Sequence, residues 1–135
     1  MENLVTNGYL FDSVILLETH FERLPQITLD LSKTNQKIHI ENEVQQNENK
    51  IFVILTLHFD IFNNETIEVK SKIKMVGIFE KIGTPKLEQD IFVRLNAPAM
   101  LFPYLREHLT NLSVKAGLPP IIVQPINFEN ISQKN

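Results

Sequence analysis

Tyr104, Arg106 and Glu107 crowd one short stretch, and a phenol, a guanidinium and a carboxylate together could move a proton. The plainer alternative is a packed helix with Arg106 or Glu107 paired or solvated. The histidines, His20, His39, His58 and His108, share no zinc-ligand spacing. Cysteine is absent, which excludes disulfides, thiolate nucleophiles and cysteine-held zinc, and fits a reducing compartment. No Gly-rich phosphate loop, nucleophile elbow or paired-carboxylate motif occurs. The expectation is a protein without catalytic residues, metal or cofactor. Lys70, Lys72 and Lys74 alternate, so they could meet an acidic partner or form a solvated face that resists edge-to-edge aggregation.

The elements that must position these groups are predicted from patterning. A chain of 135 residues suits a single domain or one subunit of an oligomer, and 43% apolar residues can supply a core. A formal net charge of -3 without a basic block disfavours a nucleic-acid partner. Met1 to Leu10 lacks the pattern of a signal peptide, and the longest apolar run, Ile51 to Leu55, is too short to span a bilayer. A cytoplasmic protein without membrane insertion is expected.

Residues 9–82 predict a sheet of four strands. Tyr9 to Glu22 is the first, with Phe11, Ile15, Leu17 and Phe21 on one parity and Leu10, Val14 and Leu16 on the other. Both its faces are partly apolar, which predicts cover on both sides or an exposed apolar face. Lys37 to Gln45 alternates Ile38, Ile40 and Val44 against His39, Glu41 and Glu43. Lys50 to Phe62 carries one apolar face from Ile51 through Ile61. In Thr66 to Lys81, Ile67, Val69, Ile73 and Met75 oppose Glu68, Lys70, Lys72 and Lys74, as in an antiparallel sheet with one wet side. Asn47-Glu48-Asn49 and Asn63-Asn64-Glu65 supply the turns. Arg23 to Gln36 is a long connection of no assigned structure.

Residues 84–117 predict the helical part. Thr84 and Pro85 have the chemistry of an N-cap and first helical position, and Leu87, Ile91 and Leu95 recur at helical spacing. Asn96-Ala97-Pro98 predicts an interruption or kink, and Pro103 a kink or a late helix start. Leu101, Leu105, His108, Leu109 and Leu112 form the next stripe, and Gly117 with Pro119 predicts its end. A proline-rich return (118–131) and a polar, frayed tail (132–135) complete the chain. Strands followed by helix predict an α+β fold, a four-stranded antiparallel sheet with a long kinked helix on one face.

Three strings carry a resemblance. Leu-Phe-Pro-Tyr-x-Arg-Glu at Leu101 to Glu107, Gly77-Ile78-Phe79 and Pro125-Ile126-Asn127-Phe128 follow four strands in an order that resembles the SecB family of export chaperones. The resemblance covers the chain from Tyr9 onward. It implies an ATP-independent holdase, a homotetramer built as a dimer of dimers with helices between sheets, and hydrophobic grooves for unfolded or nascent polypeptides. In protein export such chaperones deliver precursors to the SecA motor. Some SecB-like proteins instead guard the antitoxin of a toxin–antitoxin pair. Glu18 and Glu22 match first-strand positions of the acidic patch that meets SecA, but Lys70 and Lys72 stand where the family has an apolar residue and an acid. Those cations weaken attraction for a basic partner. Export members also continue into a further helix beyond the position of Phe128.

The resemblance makes exposed apolar side chains the candidate client surface: Phe11, Val14, Leu16, Phe21 and Leu24, with Phe52, Ile54 and Phe62 on the less regular face of the third strand. Burial in the core or in a subunit interface is the alternative for each. Leu101, Tyr104, Leu105, Arg106, His108, Leu109 and Leu112 are assigned to a structural or oligomer-forming helix. A dedicated chaperone for one partner, or a structural subunit of the same fold, are the competing functions.

Overall fold

The computed structural model describes residues 7–28, 30–130 and 133–134. Strands β1 (Gly8–Arg23), β2 (Asn35–Asn47), β3 (Lys50–Asn63) and β4 (Thr66–Ile82) form an antiparallel sheet in the order β1-β4-β3-β2. Two-residue turns join β2 to β3 and β3 to β4, and their first residues, Glu48 and Asn64, both hold φ at 57°. Asparagine tolerates that conformation; glutamate adopts it at a cost of about 1 kcal/mol. Part of the tail expected over 132–135 lies outside the described residues. Within it, β5 (Gln133–Lys134) pairs parallel with Asn42 and Glu43 on the outer edge of β2.

The alternation expected in β3 is observed: Ile51, Val53, Leu55, Leu57, Phe59 and Ile61 are all buried on one face. In β1 parity misleads. Extra residues at Asp12 and Leu17 form two bulges in its pairing with β4. Each bulge adds a residue and swaps the side-chain faces. Phe11, Val14, Leu16 and Phe21 thus share one face, opposite Phe79, Gly77, Met75 and Ser71, while Leu10 and Ile15 point the other way. A third irregularity leaves Glu68 without a partner in β3, and it is buried rather than aligned with the wet lysines. Its carboxylate accepts the Thr28 amide (3.1 and 3.2 Å) and hydroxyl (3.3 Å), which ties the long connection to the sheet.

The long helix, α1, starts later than Thr84 and Pro85 suggest. It comprises Gln89–Ile91, a π-helical segment Phe92–Asn96 and Ala97–Lys115. Residues 84–88 are committed elsewhere: the Thr84 amide donates to Asn7 Oδ1 (2.8 Å), and the Leu87 carbonyl accepts the Tyr9 hydroxyl (2.7 Å). Pro98 does not interrupt the helix. The wide π turn just before it, in which the Ala97 amide reaches back to Phe92, is the irregularity found instead. Pro103 lies inside the α-helical part. Pro103 and Ala99, four residues before it, are both exposed, so the carbonyl that loses its donor is on the wet side. Gly117, at φ 75°, closes the helix: its amide bonds Val114 and that of Leu118 bonds Ser113.

Helix α1 packs on the face of the sheet that carries the buried residues of β3. Leu101, Leu105 and Leu109 are fully buried there. Gly77 explains how close the helix comes: a Cβ at this position would lie 3.0 Å from both Leu101 Cδ1 and Phe79 Cε1, and nearer still to Leu101 Cδ2. The proline-rich return runs back along the helix. The Ile121 carbonyl accepts Thr110 Oγ1 (2.6 Å), its amide donates to Ser113 Oγ (3.0 Å), and Phe128 meets Phe102 edge-on.

Candidate functional site

An aromatic relay organises the helix side of the sheet. Tyr9 stacks on Phe92 with ring centroids 4.0 Å apart, Phe92 meets Phe79 edge-on, Phe79 stacks on Phe11, and Phe11 meets Tyr104 edge-on. The two edge-on contacts are arrangements the ring quadrupoles favour. One end of the relay opens into a groove of about 590 Å³ between the start of β1, residues 84–87 and the first turns of α1. Tyr9, Pro85, Leu87, Phe92 and Met100 supply its apolar lining, while Asn7 and Asn96 add amides. Burial pushes the Tyr9 phenol up from its ordinary pKa, which keeps its hydroxyl a donor to Leu87. None of the residues lining the groove is among the site candidates read from the sequence. Leu87 and Met100 fall on no shared period, and only the late helix start brings 84–87 beside β1.

Strand β1 itself is an edge of the sheet. Its exposed apolar residues are Leu10, Ile15, Leu16 and Leu17, with Leu24 just beyond. An open edge with apolar side chains is adhesive to any extended segment. Phe11, Val14 and Phe21 are half-buried on the helix side, packed against the core. Phe52, Ile54 and Phe62 are half-buried on the opposite face. The eight client candidates therefore divide between the two faces and do not line one groove within a single chain.

The helical candidates divide as well. Leu101, Leu105 and Leu109 are committed to the core of their own chain. Half-buried His108 bonds Thr19 Oγ1 through Nε2 (3.0 Å), and Leu112 packs at the core margin. Tyr104, 45% exposed, is the candidate with area to offer another molecule, beside Met100 and Val114. Arg106 lies over the Phe102 ring and reaches the Val123 carbonyl (3.4 Å), with its Nε buried and unpartnered. Glu107 is exposed. Tyr104 is thus turned to β1 and Arg106 to the return, so they share no contact site. Among the described residues, no group of His, Cys, Asp or Glu is placed to hold a metal ion.

The other sheet face holds the partner-surface candidates. Glu18, Glu22, Lys70 and Lys72 do meet there: Lys72 Nζ lies 3.1 Å from Glu18, and Glu22 pairs in register with Lys70. No described helix is long and apolar enough to cross a membrane.

A family model described as preprotein translocase subunit SecB matches residues 15–135. The protein-export protein SecB of Halorhodospira halophila is 31% identical over 82% of this chain, which spans only 59% of that relative's length. That of Stenotrophomonas maltophilia is 26% identical over 92% of this chain and 74% of its own. Among solved structures, a SecB-like chaperone of Mycobacterium tuberculosis in complex with an antitoxin peptide aligns at a TM-score of 0.72. That alignment covers 87% of this chain and 90% of the other at 17% identity, a likeness of fold.

Proposed function

Because the chain belongs to the SecB family, we propose that it acts as a holdase, binding unfolded or nascent polypeptides without ATP, cofactor or covalent chemistry. The observation that carries this reading is the groove floored by the Tyr9–Phe92 stack and lined by Pro85, Leu87 and Met100 among polar neighbours, continuous in sequence with an open edge strand that exposes apolar side chains. An extended client segment gains about 25 cal/mol for each Å² of apolar surface it buries, with little dependence on sequence. Main-chain pairing along the β1 edge adds sequence-tolerant affinity. The same edge offers a seam for a second copy, in keeping with the dimer of dimers that the family implies. Leu16 and Leu24, exposed on and just beyond β1, then serve the seam, Phe11, Val14 and Phe21 back it from the core side, and Phe52, Ile54 and Phe62 form a separate patch. Enzymatic activity forms no part of the proposal.

Titrating a fluorescent, reduced and alkylated polypeptide that cannot refold tests the reading by anisotropy. Binding that weakens by about tenfold in Leu87→Asp and Met100→Asp supports the groove. No binding by the unaltered protein contradicts it. If an apolar-surface dye also stays dark, the β1 side chains are occupied and the structural-subunit reading gains.

A second reading keeps the fold and narrows the task to one client, such as an antitoxin. Its support is the outer face, where Lys72 holds the Glu18 carboxylate that would otherwise attract a basic motor such as SecA. The antitoxin peptide bound to the structural neighbour agrees with it. Polypeptides that copurify from the host separate the two: many secretory precursors support general export, and one dominant partner supports the dedicated role.

A further inference from the structure

Helix α1 takes in one extra residue over Phe92–Asn96, where the Ala97 amide bonds the carbonyl five residues back, at Phe92. At about 100° per residue, a plain α-helix would set Phe92 about 140° round from Ala97 and turn it off the core. With the extra residue absorbed, Phe92 takes the place of a residue four back, about 40° round. Phe92, Ala97, Leu101, Leu105 and Leu109 then make one buried stripe, and Phe92 reaches the Tyr9 ring.

The same turn strands a carbonyl. The α-helical donor for Val93 would be Ala97, already spent on Phe92, and the next residue, Pro98, has no N–H. Val93 is buried, so its oxygen needs a partner from the protein. Asn42 supplies it from β2: Nδ2 donates to the Val93 carbonyl over 2.9 Å. Asn42 is buried on the helix side of the sheet, opposite Leu55 and between Ile40 and Val44. Among the described residues its Oδ1 has no partner, so the bond donated by Nδ2 is what this buried amide contributes. One turn earlier in the helix, Gln89 Nε2 donates to Gln46 Oε1 on the same strand (2.6 Å).

We infer that Asn42 is a positioning residue for the groove: its side-chain amide holds the wide turn, and the wide turn keeps Phe92 beneath Tyr9. The influence crosses the sheet, because β2 and β1 lie at opposite ends of the order β1-β4-β3-β2 and the start of α1 touches both. Asn42 acts through the backbone of Val93 and does not line the groove. Its effect on client binding rests on the holdase reading, whereas its effect on the two rings does not.

The test pairs two readouts: NMR cross-relaxation between the Tyr9 and Phe92 rings, and anisotropy of a fluorescent, reduced and alkylated polypeptide. Asn42→Leu keeps the side-chain volume and removes the donor. It should lose most of the ring–ring signal and weaken polypeptide binding about tenfold. Adding Pro98→Ala returns an N–H five residues beyond Val93, the π spacing from its carbonyl, and should restore the ring signal and bring binding back to within about threefold of the parent. If Asn42→Leu does not fold, the unaltered protein decides: the Asn42 side-chain amide should exchange with deuterium at least about a hundredfold more slowly than that of exposed Asn64. A ring signal unmoved by Asn42→Leu, a loss that Pro98→Ala does not repair, or fast exchange at Asn42 overturns the inference. An unaltered protein that binds no polypeptide contradicts the holdase reading, and the ring signal still decides the role of Asn42.

Discussion

Substituting Gly77 by alanine probes how closely the helix approaches the sheet. The new methyl would sit 3.0 Å from Leu101 Cδ1 and from Phe79 Cε1, and closer to Leu101 Cδ2, where carbon atoms rest at about 3.5–4.0 Å. Leu101 and Phe79 are both fully buried, so neither has free space to move into. Overpacking of this kind costs about 1–3 kcal/mol. The backbone entropy gained by replacing a strand glycine returns about 0.5–1 kcal/mol. The net loss should be about 1–2 kcal/mol, a fall in Tm of about 4–8 °C for a chain of this size. Leu101→Ala alone should cost about 2–5 kcal/mol through the cavity it leaves. In the double variant the methyl introduced by Gly77→Ala occupies part of that cavity, so the two losses should fall short of additivity by at least about 1 kcal/mol. Thermal and denaturant melts of the four proteins at one fixed concentration complete the cycle. Additive losses, or a Gly77→Ala protein as stable as the parent, would refute the close-approach argument.

Glu68→Ala removes the buried acceptor of the Thr28 amide and hydroxyl, at an expected cost of about 2–3 kcal/mol, with faster hydrogen exchange at Thr28. Unchanged exchange there would show that the connection is held by other contacts. Hydrogen bonds from the Ser32 hydroxyl and then its amide hold the Asp30 carboxyl below the usual carboxylate range. A depressed folded-state pKa contributes stability above the ordinary carboxylate value and loses it as pH falls through the folded value. Ser32→Ala should therefore raise the Asp30 midpoint in an NMR titration, part of the way because the amide remains; an unmoved midpoint counts against the side-chain bond. Lys50 is raised, chiefly by its hydrogen bond to Asp12, so its contribution persists below the ordinary lysine range and fades as pH rises through the folded value. Asp12→Asn should lower the Lys50 midpoint, and no change would show that the contact at 3.2 Å carries no weight.

The strands were legible because β3 and most of β4 keep a strict period of two over a buried face, and β2 alternates in sequence although only Ile40 and Asn42 are buried in it and Ile38 is exposed. Strand β1 was not, because bulges at Asp12 and Leu17 reverse its faces and no residue type announces them. Glu68 read as one of a wet, charged series, and the same kind of extra residue buried it. Thr84-Pro85 has the chemistry of a helix start, yet Asn7 and Tyr9 claim that segment through contacts more than seventy residues apart in sequence. The proline signal before Pro98 pointed to a real irregularity; its form, a π turn, depends on helix packing that local sequence does not encode. The groove followed the same logic: Tyr9 and Phe92 are visible as aromatics, but only tertiary packing stacks them.

The central claim, that this surface holds polypeptides unfolded, is tested most directly by light scattering from a slowly refolding protein diluted out of denaturant. The account predicts that scattering falls to near baseline at about one chaperone assembly per client, and that Leu87→Asp with Met100→Asp restores much of it while the variant remains folded. Aggregation that proceeds unchanged with the unaltered protein, both for this client and for any polypeptide that copurifies with it, would contradict the account.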